Sequence, residues 1–74
     1  MNPWDLPPRM QTVLQYLTDG LSSKQIADRM GVTPKTIEAY RSEAIERMYA
    51  KNSLHAAVMW DRHARKADQA IAGR

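Results

Sequence analysis

Ser22-Ser23-Lys24-Gln25-Ile26-Ala27-Asp28-Arg29-Met30-Gly31-Val32-Thr33-Pro34-Lys35-Thr36-Ile37-Glu38-Ala39-Tyr40-Arg41 is the stretch on which the reading of this chain turns. It reads as two helices joined by a tight turn, each with its own start signal. Ser22 is followed three residues later by Gln25, the spacing at which a cap side chain and a side chain one turn on satisfy each other's backbone N–H groups. Thr33 can cap the second helix, with Pro34 at its first position, where a missing N–H is harmless. Gly31 lies between them, where a helix must stop and the backbone turn left-handed, a conformation open to a residue without a Cβ. Short helix, glycine turn and second helix make a helix-turn-helix, a motif whose second helix commonly enters the DNA major groove.

The rest of the chain bounds what that motif can belong to. Its 74 residues make one small domain near the lower limit for independent folding. Cysteine is absent, which excludes a disulfide scaffold, a thiolate zinc site and a cysteine nucleophile. Met1-Asn2-Pro3-Trp4-Asp5 lacks the basic flank and apolar run of a signal peptide, and no segment approaches the ~20 apolar residues of a membrane span. A cytoplasmic protein with no membrane partner is expected. The net charge of +3 is unevenly placed: residues 1–50 hold six Lys/Arg and six Asp/Glu, and the whole excess falls in 51–74. Bulk charge therefore supports nucleic-acid binding only weakly, and the motif has to carry that reading.

Taken in order, residues 1–5 lack periodicity and read as an N-terminal arm with Trp4 able to fold back. Residues 6–66 read as the domain and 67–74 as a frayed basic tail. Leu6-Pro7-Pro8-Arg9 announces a first helix, in which Met10, Val13, Leu14 and Leu17 form one apolar stripe before Gly20 ends it. In the second helix Ile26, Ala27 and Met30 face inward. At about 100° per residue, Ile37, Tyr40, Ala44 and Met48 of the third helix gather on a core side, while Lys35, Glu38, Ala39 and Ser42 gather opposite. That opposite face has no large apolar residue, which makes it a poor protein hot spot and a usable groove-reading surface. Asn52-Ser53 caps a fourth helix from Leu54 to about Lys66. Leu54, Ala57 and Val58 read as its inward stripe, with Met59, Trp60 and His63 projecting to the other side beside Ala56. Two readings of that second apolar patch stand: a homodimer contact, or Trp60 covering the end of the first helix.

These residues resemble the DNA-binding domain of the LuxR/NarL/FixJ family of bacterial transcription regulators. Leu6-Pro7-Pro8-Arg9-Met10 keeps the Leu and Arg of the family's opening pattern and loses its Thr and Glu. Val13-Leu14, Gly20-Leu21-Ser22, Lys24-x-Ile26-Ala27, Met30-Gly31-Val32 and Thr33-Pro34-Lys35-Thr36-Ile37 fall in family order without a gap. Glu38-Ala39-Tyr40-Arg41, Glu46-Arg47-Met48, Ala50 and Ser53-Leu54 look like the FixJ branch. The resemblance implies an all-α, four-helix fold, with Lys35, Glu38, Ala39 and Ser42 facing base edges. It implies that Lys24, Thr33, Thr36 and Arg41 lie near phosphates. Chemistry agrees in part, because N–H groups opening the third helix attract anions, and Lys and Arg add charge-assisted contacts. Glu38 can accept from a cytosine amino group, and Ala39 offers a methyl suited to a thymine methyl.

The family's fourth helix usually supplies the dimer contact, which assigns Leu54, Met59, Trp60 and His63 to an interface. Two recognition helices would then stand about one duplex turn, ~34 Å, apart on an inverted repeat. The family usually places a receiver or sensing domain ahead of this one. The chain begins almost at the motif, so a stand-alone domain without that switch is expected. Tyr40 replaces a common histidine. Tyr49 replaces a glycine and is expected to lengthen the third helix by a residue or two. An enzyme, a cofactor and a small-molecule substrate are not expected. His55 and His63 lie ~12 Å apart along one helix, too far to share a metal. The competing reading is a module resembling region 4 of σ70-type factors, which has a similar helix-turn-helix and Leu-Pro start. Such a module would bind RNA polymerase or another regulator without reading DNA itself. The short loop at Gly20-Leu21 and the Ser53-Leu54 fourth helix favour the LuxR-type reading.

Overall fold

The computed structural model describes residues 3–72, with side chains as far as Arg65. Four helices follow in order: α1 (Pro8–Thr18), α2 (Ser23–Met30), α3 (Pro34–Met48) and α4 (Ser53–Ala72). The all-α, four-helix expectation holds. Each start follows its local signal. Ser22 accepts from the Gln25 N–H while the Gln25 side chain takes the Ser22 N–H at 2.8 Å, a complete capping box. Thr33 accepts from the Thr36 N–H with Pro34 next in line. Asn52 Oδ1 accepts from the His55 N–H at 2.8 Å, opening α4.

Three helices end on left-handed residues. Gly20 has φ +88° and Gly31 φ +70°, as their positions predict. Tyr49 has φ 55° and closes α3 in the same way. The expected lengthening of α3 is therefore corrected: losing the glycine does not carry the helix on. The Ala50 N–H reaches back to the Ile45 carbonyl at 3.0 Å, and this closing bond holds a non-glycine residue in the left-handed region. α4 in turn runs past Lys66 to Ala72 through an alanine-rich segment, alanine being the strongest helix former. Gly73 and Arg74, and Met1 and Asn2 of the arm, lie outside the described residues.

The core consists of two buried clusters that follow one another along the inner side of α3. Val13, Ile26, Ala27 and Ile37 lock α2 onto α1 and α3. Leu6, Met10, Leu14, Ala44, Met48 and Ala56 join α1, α3 and α4. Leu17 and Tyr40 pack against both clusters and make one interior of them. Ala27 is fully buried, and its small side chain lets α2 approach closely. The core-side reading of α3 is confirmed, with Ile37, Ala44 and Met48 buried and Tyr40 partly so.

For α4 the expected faces are exchanged except at Ala57, which is buried as expected. Leu54 is 73% exposed and Val58 38% exposed, whereas Ala56 and Ala57 are buried. Met59 and Trp60 pack against the larger cluster. Both faces of this helix are apolar, so periodicity alone cannot choose between them. The choice falls to packing: two alanines admit α4 close to its neighbours, and Met59 and Trp60 fill the flanking space. The arm folds back as well, with the Trp4 ring 6.5 Å from Trp60 and 5.4 Å, edge-on, from His63. Arg47 Nη1 donates to the Asp5 carbonyl at 3.0 Å and ties the arm to α3.

Candidate nucleic-acid interface

α3 touches α1, α2 and α4, so its inner side is fixed on three flanks. Lys35, Glu38, Ala39 and Ser42 all lie exposed on the opposite side, as the angular reading expects. The face is polar and shallow, and an alanine at its centre allows close backbone approach. At its N-terminal end, Thr33 and Thr36 bring their hydroxyls to 3.1 Å of each other, and the Thr33 hydroxyl also caps the Thr36 N–H at 3.3 Å. Lys24 stands exposed on the neighbouring α2. Among the described residues, neither Lys24 nor Lys35 has a carboxylate partner; Lys35 stands in the first turn of α3, at the positive end of its dipole, and Lys24 in the first turn of α2.

Arg41 departs from the pattern expected of a phosphate contact. Its guanidinium is turned along the protein, with the side chain only 25% exposed. Nε donates to Ser53 Oγ at 3.0 Å, at the start of α4. Nη1 donates to Ser23 Oγ, at the start of α2, and to Glu38 Oε1 at 3.0 Å. The Ser23 hydroxyl in turn donates to the same Glu38 oxygen at 2.6 Å. The network thus joins a residue expected at the bases, Glu38, to one expected at a phosphate, Arg41. It also recruits Ser23 and Ser53, which the sequence reading did not assign to this surface. Each lies 12 or 18 residues from Arg41, and no spacing rule reaches that far. A cation beside two helix N-termini opposes their dipoles, and the Glu38 carboxylate offsets that charge.

The residues assigned to a dimer contact do not share one surface. Leu54 is exposed, while Met59 and Trp60 lie against the core and His63 stacks among Trp4 and Trp60. The outward stripe of α4 runs instead through Leu54, Val58, Asp61 and Arg65, the last two paired at 2.8 Å. Beside it a shallow groove is walled by Leu17 and Thr18 of α1. His55 is occupied locally, its Nδ1 accepting from the Lys51 N–H at 3.0 Å. Among the described residues no helix is long and apolar enough to cross a membrane.

The fold and this surface define a helix-turn-helix domain, and comparison with known proteins places it. Residues 5–60 match the family model described as bacterial regulatory proteins, luxR family. The chain belongs to that family. It is 42% identical over 53 residues to the Fimbriae Z protein of Escherichia coli, a match covering 72% of this chain and 23% of that protein. It is 45% identical over 49 residues to the transcriptional regulatory protein FixJ of Bradyrhizobium diazoefficiens, covering 66% of this chain and 23% of that one. The C4-dicarboxylate transport transcriptional regulatory protein DctR of Rhodobacter capsulatus is 40% identical over 40 residues, covering 54% and 20%. The chain thus spans about a quarter of the length of the curated relatives it matches.

Proposed function

We propose that this domain binds double-stranded DNA in a sequence-specific manner and regulates transcription, with α3 in the major groove. The observation that carries the reading is the exposed face of Lys35, Glu38, Ala39 and Ser42, polar, shallow and held in place from three sides. Thr33 and Thr36 at its N-terminal end and Lys24 on α2 are the phosphate contacts of this reading; base edges specify and phosphates position. Two copies meet through α4 and place two recognition helices on an inverted repeat. Leu54 is the residue of the expected interface that remains available for that contact, and Val58 extends it.

Selection of bound sequences from a random duplex pool tests this reading. A palindromic site is the expected outcome. On that site, Lys24→Ala should flatten the slope of log affinity against log salt by about 0.9, the share of one lost phosphate contact. An unchanged slope would show that Lys24 does not meet the backbone.

A second reading has one observation in its favour. Residues 1–50 carry no net charge, and two of their arginines, Arg41 and Arg47, are held in ion pairs. A module that binds RNA polymerase or another regulator, in the manner of a σ region 4, would need no excess of cations. No enrichment in the selection, together with direct binding to RNA polymerase, would favour it.

A further inference from the structure

The network around Arg41 separates two roles that its charge alone would merge. A cation on a DNA-facing helix is ordinarily assigned to a phosphate. Here the guanidinium spans the starts of α2 and α4 through Ser23 and Ser53, and its remaining contact is the Glu38 carboxylate. Glu38 Oε1 receives both the Arg41 N–H and the Ser23 hydroxyl, whereas among the described residues Oε2 has no donor. The Glu38 side chain remains 59% exposed, so the carboxylate is held from behind and open in front.

We propose that Arg41 and Ser23 are positioning residues that aim the Glu38 carboxylate at a base-pair edge, where Oε2 accepts from the amino group of cytosine, and that Arg41 makes no phosphate contact. The inference rests on the DNA-reading function proposed above. Three physical points support it. An unsupported glutamate near phosphates is repelled and turns away, but one already paired with a cation presents little net charge to the duplex. A carboxylate that is only an acceptor selects cytosine, the base that offers an amino donor without an adjacent acceptor on the same major-groove edge. The planar fork of arginine reaches two serines and a carboxylate at once, which the point charge of lysine cannot do.

The experiment measures affinity for the selected duplex, and for duplexes changed at one position per half-site, across a salt series. Glu38→Gln should move the preference at that position from cytosine toward adenine, whose edge pairs with an amide. Ser23→Ala and Arg41→Lys should each lower the cytosine preference about tenfold, the scale of one good base contact, while leaving the salt slope unchanged. A residue that merely held the fold would weaken all duplexes alike. Ser23→Ala removes a single hydroxyl from the first residue of α2, so it keeps the test open if an Arg41 variant unfolds. Arg41→Ala should leave the slope intact; a fall of about 0.9 would place Arg41 on a phosphate and overturn the proposal. Unchanged base preference in Glu38→Gln would overturn it too. Failure of the unmodified chain to enrich any sequence would instead remove the DNA-reading function itself, and this assignment with it.

Discussion

Tyr49 closes α3 with φ 55°, a region that costs an L-residue about 1–2 kcal/mol. Its side chain is 91% exposed and so recovers almost nothing through packing. Gly20 and Gly31 meet the same backbone demand without that cost. Tyr49→Gly should therefore stabilise the domain by about 0.5–1 kcal/mol, after allowing for the extra freedom glycine gives the unfolded chain. Thermal unfolding should show a rise of a few degrees; a fall would mean that the Tyr49 ring contributes contacts after all. The sequence shows a tyrosine where the resemblance implies glycine. That the helix still stops there depends on the Ala50-to-Ile45 hydrogen bond, which only the folded turn displays.

At the scale of elements, the starts of α2, α3 and α4 were legible because capping is local: a serine, threonine or asparagine bonds an N–H three residues on, whatever the rest of the chain does. Ser22 with Gln25 and Thr33 with Thr36 meet that expectation. Ser22→Ala should cost about 1 kcal/mol, visible as a lower denaturation midpoint with unchanged slope. No change would mean that α2 is held by Ile26 and Ala27 alone. The outward face of α3 was equally legible, because one side of the helix is apolar and the other is not. α4 resisted for the opposite reason. It carries apolar residues all round, and a period of 3.6 fixes which residues share a face but not which face turns inward.

For the whole molecule, that exchange of faces changes what the fourth helix can offer. Trp60 faces Trp4 and the core, so Trp60→Ala should destabilise the domain by about 3 kcal/mol rather than dissociate a folded dimer. Leu54→Glu should do the converse. At 73% exposure Leu54 contributes little to the core, so the variant should keep its thermal stability as a monomer and sediment as one. If the unmodified protein already sediments as a monomer at working concentrations, the α4 contact is lost as an explanation of paired binding. The proposed DNA surface is the converse case: its base-facing members lie close in sequence on one helix, but its support comes from α2 and α4, far away along the chain.

What the sequence by itself determined has its cause within a turn or two of the residue concerned: four helices, the caps of α2, α3 and α4, the glycine stops and the exposed face from Lys35 to Ser42. Such features depend on backbone geometry and nearest neighbours, and the residues state them directly. Tertiary structure alone decided which apolar face of α4 is buried, that Trp4 folds back onto Trp60, and that Arg41 clasps Ser23, Ser53 and Glu38. Those outcomes depend on volumes and distances between elements far apart in the chain, quantities that no local pattern contains.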